Sequence, residues 1–323
     1  MPDPTAPGLP VILVSEHSDP APLAWLAQRA TVIQTQYDSP DFPSHLSKAQ
    51  GLLVRTYTRV NDDLLSRAPN LKVVGRGGVG LENIDVAACR RRGVEVVYTP
   101  DANTLAVGDF VFGFLIHLVR GWAFFKNQVL DPKEFKRLRD TLRGRQLNEL
   151  TLGILGMGRV GRRVGHIAAK GFGMNVLYND LADVRNNLDF PATAVDKPTL
   201  YQSCDVLSIH VDMRPGNENL VGRDQLALMK TGSFLINTSR GEVLDVHALA
   251  NALRSGKVAG AALDVFWPEP PKADFPLLGL DNVMLTPHIA ARTTTAMENM
   301  SWVVKDLMAV LEGRKPQWPA PVR

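Results

Sequence analysis

At 323 residues, with 45% hydrophobic and 21% charged residues and a formal net charge of +3, the chain has the make-up of a globular protein large enough for two hydrophobic cores. Lys and Arg are scattered and do not run together beside aromatics, so no nucleic-acid partner is expected. The two cysteines, Cys89 and Cys204, lack the spacing of a metal or redox pair, so no metal is expected and a reducing cytoplasm is the simplest setting.

The N-terminal "MPDPTAPGLP" reads as a short Pro-rich tail without the pattern of a signal peptide. Behind it, apolar β-rich runs alternate with helical stretches: "PVILVSE", "PLAWLAQRA", "ATVIQTQ", "GLLVRTYT", "NDDLLSRAP", "LKVVGRG", "NIDVAACRRRG" and "VEVVYTP". Short strands separated by helices predict a parallel sheet with crossover connections. The next segment, "LAVGDFVFGFLIHLVRGWAFF" from Leu105, has the length of a membrane span but carries Asp109, His117 and Arg120. Charge inside a bilayer is costly, so it reads as a core or interface helix and no membrane partner is expected.

The same alternation restarts at "LTLGILGMG" and continues through "RVGRRVGHIAAKG", "MNVLYND", "CDVLSIHVD", "RDQLALMK", "GSFLINTSRG", "VHALANALRSG", "VAGAALDVF" and "NVMLTPH". The chain therefore reads as two doubly wound parallel-sheet α/β domains. A last helical stretch, "TTTAMENMSWVVKDLMAVLEGR", ends at Gly313, and periodicity does not say on which domain it packs.

Two segments fit the glycine pattern of a dinucleotide-binding turn, "GRGGVG" from Gly75 to Gly80 and "GMGRVG" from Gly156 to Gly161. Both are read as following a strand and opening a helix, so charge discriminates between them. Glu82 and Asp85 behind the first would satisfy a helix dipole and repel a diphosphate, whereas Arg159, Arg162 and Arg163 behind the second would attract it. Asp180 stands nineteen residues after Gly161, where a carboxylate accepts hydrogen bonds from ribose hydroxyls and repels a 2′-phosphate; this favours NAD over NADP. The first turn is either loop geometry or a backbone site for a small anion such as a substrate carboxylate, around Gly78, Val79 and Gly80.

Three later segments place a polar residue where a strand gives way to a loop: Arg240 in "INTSRG", Asp264 and Glu269 in "LDVFWPEP", and His288 in "LTPHIAAR". Arg240 has the planar fork suited to a carboxylate, His288 is a proton donor near neutral pH, and Glu269 could fix its tautomer. Singly, each is explained as a surface ion pair, a solvated acid or a turn histidine; together, behind an NAD-type turn, they compose a site.

From about Val11 to Leu311 the chain resembles the D-isomer-specific 2-hydroxyacid dehydrogenase family, on "GRGGVGLENID", "LGILGMGRVG", "INTSRG", "GAALDVFWPEP" and "LTPHIA" in family order. The resemblance implies a Rossmann NAD domain, 105–289, inserted in a discontinuous flavodoxin-like substrate domain, 1–104 and 290–323, and a homodimer. It implies catalytic roles for Arg240, Glu269 and His288, and cofactor contacts at Gly156, Gly158, Arg159, Val160, Gly161, Asp180, Val211, Thr238, Ser239 and Asp264. Arg55, Gly78, Val79 and Gly80 match substrate positions. The implied activity is NAD-dependent hydride transfer at carbon 2 of a small 2-hydroxy or 2-oxo acid of the 3-phosphoglycerate, hydroxypyruvate or glyoxylate type. The alternative from another class is an NAD-sensing corepressor-like protein with little turnover.

Several positions depart from the family pattern. Gly108 and Asp109 replace an Ala-Glu pair, Asp212 replaces a proline, and Tyr57 stands where certain members have a cation. Ala290, Ala291 and Arg292 follow the histidine, with Arg292 either a second cation for an anionic substrate or a helix-start surface residue. The chain stops soon after its last helix, so feedback control by an amino acid is not expected.

Overall fold

Among the described residues, all the strands of both sheets pair in parallel. The computed structural model describes residues 8–121 and 127–321, and the chain divides into one unit running up to Asn103 and resuming at Arg292, and a second, Thr104–Ala291. Most of the Pro-rich tail and the end of the apolar segment after Gly121 lie outside the described residues.

In the first unit, β1 (Val11–Val14), β2 (Thr31–Gln34), β3 (Gly51–Val54), β4 (Val73–Arg76) and β5 (Glu95–Tyr98) form a sheet in the order β2-β1-β3-β4-β5, the flavodoxin-like order. Connections run through α1 (Pro20–Ala27), α2 (Phe42–Leu46), α3 (Asp62–Ser66) and α4 (Val86–Arg91). The helix expected directly behind Gly80 starts later. A turn closed by the Ile84 amide on the Leu81 carbonyl comes first; Val60 accepts from the Asp85 amide and donates to the Asn83 carbonyl, and Asp85 caps α4 by accepting from the Ala88 amide.

The second unit opens with α5 (Thr104–Arg120) and α6 (Pro132–Thr141). It then alternates β6 (Thr151–Leu155), α7 (Arg159–His166), β7 (Asn175–Asn179), β8 (Thr193–Ala194), α8 (Lys197–Ser203), β9 (Val206–Ile209), α9 (Arg223–Leu228), β10 (Ser233–Asn237), α10 (Val246–Arg254), β11 (Val258–Leu263) and β12 (Val283–Leu285). Its sheet order, β12-β11-β10-β9-β6-β7-β8, reverses beside β6, as in a Rossmann fold. Helices cover both faces, which is why β6, β9 and β11 are almost wholly buried and read as continuous apolar runs. Among the described residues no helix is long and apolar enough to cross a membrane.

The chain then returns to the first unit as α11 (Thr294–Ser301) and α12 (Val304–Leu311). Leu307 lies directly over Gly51 and Gly75, where a Cβ would stand 3.0 and 3.1 Å from its side chain. A Cβ on Gly77 would stand 3.3 Å from the Met300 carbonyl oxygen. Two glycines of the first motif thus serve helix packing. The C-terminal segment runs beside the edge strand β5, with Ala320 donating to Val96 and Tyr98 to Trp318, and the buried Asp306 fixes it by accepting from the Gln317 and Trp318 amides.

At the carboxyl edge of this sheet Glu16, just beyond β1, accepts hydrogen bonds from the amides of Arg55, Thr56, Tyr57 and Thr58 and from the Thr58 hydroxyl. Burial alone would raise its pKa, but the Thr58, Tyr57 and Arg55 hydrogen bonds outweigh it and hold the carboxyl below its usual 4.5. A carboxylate with a depressed folded pKa stabilises the protein above the unfolded value, and that contribution is lost as pH falls through the folded value. Glu16→Gln should therefore destabilise by about 2 kcal/mol at neutral pH. The difference in melting temperature from the parent should be constant above about pH 5 and close toward pH 3; a difference that persists undiminished at pH 3 would contradict this.

Candidate active site

The loops at the carboxyl ends of β6, β7 and β9 to β12 collect most of the polar residues singled out from the sequence. After β6 the chain turns at Gly156, whose φ of 97° is left-handed and whose Cβ would stand 2.6 Å from the His210 carbonyl oxygen and 3.0 Å from Val211. Gly161 packs on the same turn, a Cβ there meeting the Gly156 carbonyl oxygen at 2.1 Å. Gly158 is the N-cap of α7 with no side chain capping the helix, and nothing lies within 4 Å of where its Cβ would be. This is the form of an anion cradle, with helix amides at the surface. Arg159 is exposed and Val160 half-buried on the first turn.

The flanking arginines behave differently from the charge argument. Arg162 donates to the Met157 carbonyl, and Arg163 pairs with Asp109 of α5 at 3.3 Å, its stem lying where Gly108 has no side chain. Asp180, ending β7, accepts from the Met157 amide at 2.7 Å and the Ala182 amide at 2.8 Å, which ties it to the glycine turn. Each carboxylate oxygen keeps accepting capacity for a hydroxyl. Thr238 Oγ1 is buried with no hydrogen-bond partner among the described residues. The turn, the carboxylate and this orphaned hydroxyl fit a dinucleotide.

Asn237 ends β10 and sets the next loop. Its Oδ1 accepts from the Ser239 amide and hydroxyl, and its Nδ2 donates to the Arg240 carbonyl. Ser239 is therefore held internally, while the Arg240 guanidinium donates to the Ser239 carbonyl and lies close enough to lower the pKa of Glu269. Gly241 makes that approach possible, since a Cβ there would stand 2.1 Å from the Phe266 backbone.

Asp264 does not stand open to a ligand. It is buried, and accepts from Thr286 Oγ1 at 2.6 Å and from the Ile289 and Ala290 amides at 2.8 Å, so it anchors the loop that carries His288. His288 has a φ of 52°, unusual for a residue with a side chain, and its Nδ1 lies 2.9 Å from Glu269 Oε2. Glu269 Oε1 accepts from the Phe266 amide. Burial raises the Glu269 pKa, but the His288 hydrogen bond and charge, the Phe266 amide and Arg240 together keep it below 4.5, so it is ionised at neutral pH. The His288 side chain is 47% exposed, which leaves the ring edge bearing Nε2 accessible.

In the first unit Gly78 has a φ of 155° and would clash with Arg76 if it carried a Cβ, while Val79 and Gly80 are half-buried beside it. Arg55 is turned inward: its guanidinium donates to the Met297 carbonyl and Ser301 Oγ and lies 3.6 Å from Asp19, and its side chain is only 12% exposed. It staples α11 to the sheet instead of offering a cation. Arg292 is exposed. Sequence reasoning missed Asn237, Gly241 and Thr286. Asn237 ends an apolar strand with an amide and was the legible clue; the other two matter only through contacts between loops.

A family model described as "D-isomer specific 2-hydroxyacid dehydrogenase, NAD binding domain" matches residues 112–290. The chain is 36% identical over 283 residues to a D-3-phosphoglycerate dehydrogenase of Archaeoglobus fulgidus, covering 87% of this chain and 53% of that protein, so it spans about half the length of that curated relative. It is 34% identical to a glyoxylate reductase of Aeropyrum pernix, covering 95% of this chain and 94% of the relative. A crystal structure of an Aquifex aeolicus D-lactate dehydrogenase complexed with NAD and lactic acid superposes with a TM-score of 0.80 at 29% identity, covering 94% of this chain and 96% of that one.

His210, whose carbonyl crowds Gly156, hydrogen-bonds Ser208 through Nε2 at 2.8 Å, and burial pushes its imidazole down from 6.5 to about 4. Between those values the unfolded chain binds a proton that the folded chain refuses, so stability falls as pH drops from about 6.5 to about 4 and is unaffected by this group above that window. His210→Gln should flatten that part of the melting-temperature profile; an unchanged slope would show that another group governs it.

Proposed function

The chain belongs to the D-isomer-specific 2-hydroxyacid dehydrogenase family, and on that premise we propose that it is an NAD-dependent dehydrogenase acting at carbon 2 of a small D-2-hydroxy acid and the matching 2-oxo acid. The observation that carries the reading is the His288–Glu269 pair at 2.9 Å, set beside Arg240 by the close approach at Gly241. The bound nicotinamide supplies or takes the hydride. In reduction, His288 as imidazolium donates its proton to the carbonyl oxygen, while Arg240 binds the carboxylate and stabilises charge developing on that oxygen. In oxidation, neutral His288 keeps its Nδ1 proton on Glu269 and takes the hydroxyl proton at Nε2. Glu269, ionised throughout, holds the ring in that tautomer. Gly156, Gly158, Arg159, Val160 and Gly161 would receive the diphosphate, Asp180 the adenosine ribose, and Val211 and Thr238 the remainder of the cofactor. Gly78, Val79 and Gly80 would present backbone to the substrate carboxylate. Nothing in the molecule favours the corepressor alternative.

A homodimer belongs to the same proposal, supported by the apolar side chains exposed around α6, Leu130, Phe135 and Leu142. So does a cytoplasmic location, supported by two buried, unpaired cysteines.

NADH oxidation followed by absorbance against glyoxylate, hydroxypyruvate, pyruvate, 3-phosphohydroxypyruvate and oxaloacetate tests the activity. At least one should turn over, and His288→Asn should lower kcat by about 10²- to 10⁴-fold. The rate of reduction should fall with rising pH and that of oxidation should rise. Turnover that survives His288→Asn would remove the assignment. In sedimentation velocity the parent should run as a dimer and the Phe135→Asp, Leu142→Asp double variant as a monomer; a monomeric parent would end the dimer proposal.

A further inference from the structure

Arg240 is the longest and most freely rotating of the side chains assigned to the reaction, and a residue outside that set governs it. Asn237 ends β10 in the middle of the second unit's sheet, paired with Ile209 of β9 on one side and Leu263 of β11 on the other, and it is wholly buried. Its carbonyl oxygen accepts from the Asp264 amide, so its backbone is fixed in the ladder. A side-chain amide buried at the end of an apolar strand must find partners for both its oxygen and its nitrogen.

It finds them in the next two residues. Asn237 Oδ1 accepts from the Ser239 amide at 3.0 Å and from the Ser239 hydroxyl at 2.8 Å, and Nδ2 donates to the Arg240 carbonyl at 2.9 Å. Arg240 Nη1 donates in turn to the Ser239 carbonyl at 2.7 Å. Arg240 is therefore held at both ends by one side chain: at its backbone directly, and at its guanidinium through Ser239. Beyond it the chain lies against the Phe266 backbone, close enough that a Cβ on Gly241 would stand 2.1 Å away, so the segment is held on both flanks.

The chemistry suits asparagine and few other residues. An ionised aspartate would have no proton for the Arg240 carbonyl, and serine would offer one oxygen to three partners. A turn that had only to end the strand would need the backbone bonds alone, whereas here the hydrogen-bonded ring includes the guanidinium. We propose that Asn237 is a positioning residue for Arg240, and that recognition of the substrate's carboxylate depends on its side-chain amide. This rests on the dehydrogenase reading, in which Arg240 binds that carboxylate. A long cation held in one geometry before the substrate arrives binds it without first having to be ordered, and stays aligned as charge develops on the carbonyl oxygen.

Two quantities test it in the parent, Asn237→Ala, Arg240→Ala and the double variant: the Kd of oxamate in the presence of saturating NADH, which reads carboxylate binding without turnover, and kcat/KM for whichever 2-oxo acid the parent reduces fastest. Asn237→Ala should weaken oxamate binding by about tenfold and lower kcat/KM by about 10²-fold, while the Kd of NADH, by quenching of protein fluorescence, stays within about threefold of the parent's. In the Arg240→Ala background the same change should cost less than about twofold in either quantity, because the residue it acts on is gone. Additive losses in the double variant would overturn the inference. Equal weakening of NADH and oxamate would overturn it as well, since that marks a loop that has come apart. Asn237→Ser, checked by thermal melting, replaces Asn237→Ala should the latter fold poorly, and the same outcomes decide. An Asn237→Ala enzyme with the parent's kcat/KM removes the inference alone; a parent that binds NADH and reduces no 2-oxo acid removes the dehydrogenase reading and the inference with it.

Discussion

The buried Asp264 carboxylate governs the geometry of the candidate site. By accepting from Thr286 Oγ1 and from the Ile289 and Ala290 amides it stops the chain from continuing β12 in an extended course and folds it back over the end of β11. His288 lies inside that reversal, which is why it adopts a left-handed conformation at φ 52°. Such a conformation is unfavourable for a side-chain-bearing residue and persists only where surrounding contacts over-determine it. Its effect is to set Nδ1 on Glu269 and expose the opposite ring edge. The acid and base roles proposed for His288 rest on a carboxylate that hydrogen-bonds the loop on either side of it.

The same device recurs in the first unit with different consequences. Glu16 collects the amides of Arg55 through Thr58 as Asp264 collects those of Ile289 and Ala290. In both cases a carboxylate at the end of one parallel strand accepts backbone amides from the loop of another, an arrangement open to parallel sheets because all strand ends emerge on one edge. Charge-assisted hydrogen bonds to backbone are stronger than neutral ones and fix a loop without requiring it to bury apolar surface. Loops so fixed can stay polar and partly exposed, as a site facing solvent and small ligands must.

Most of the order of strands and helices was legible in the sequence because most of the parallel strands are apolar runs, whereas β8, two exposed residues, and the helices α6 and α8 gave no such signal. The pairing of His288 with Glu269 was legible too, since those residue types at strand ends have few other uses in combination. What stayed hidden depends on contacts between loops distant in sequence. Arg55 reads as a cation at a strand end, yet Ser301 and the Met297 carbonyl, more than two hundred residues away, turn it inward. Asp264 reads as a ligand-facing acid, and only the course of the loop after β12 makes it an anchor. Gly75 and Gly77 fit the glycine pattern of a dinucleotide turn, while the position of Leu307 and Met300 explains them as packing.

The choice between the two glycine motifs rested, in the sequence, on an incomplete cause. Acids behind the first and arginines behind the second suggested opposite preferences for an anion. Asp85 proves to be a helix cap five residues beyond Gly80, the last glycine of the motif, and Arg163 is drawn away by Asp109 into the space left by Gly108. Gly108 and Asp109, a departure from the family pattern, are what accommodate that arginine. Neither motif is therefore discriminated chiefly by side-chain charge. The difference is backbone: α7 opens at Gly158, just past β6, with no capping side chain, whereas a turn at Leu81–Ile84 separates Gly80 from α4, which Asp85 caps. Helix amides without a capping side chain are the groups that receive an anion, and that geometry supports the cofactor turn proposed at Gly156–Gly161.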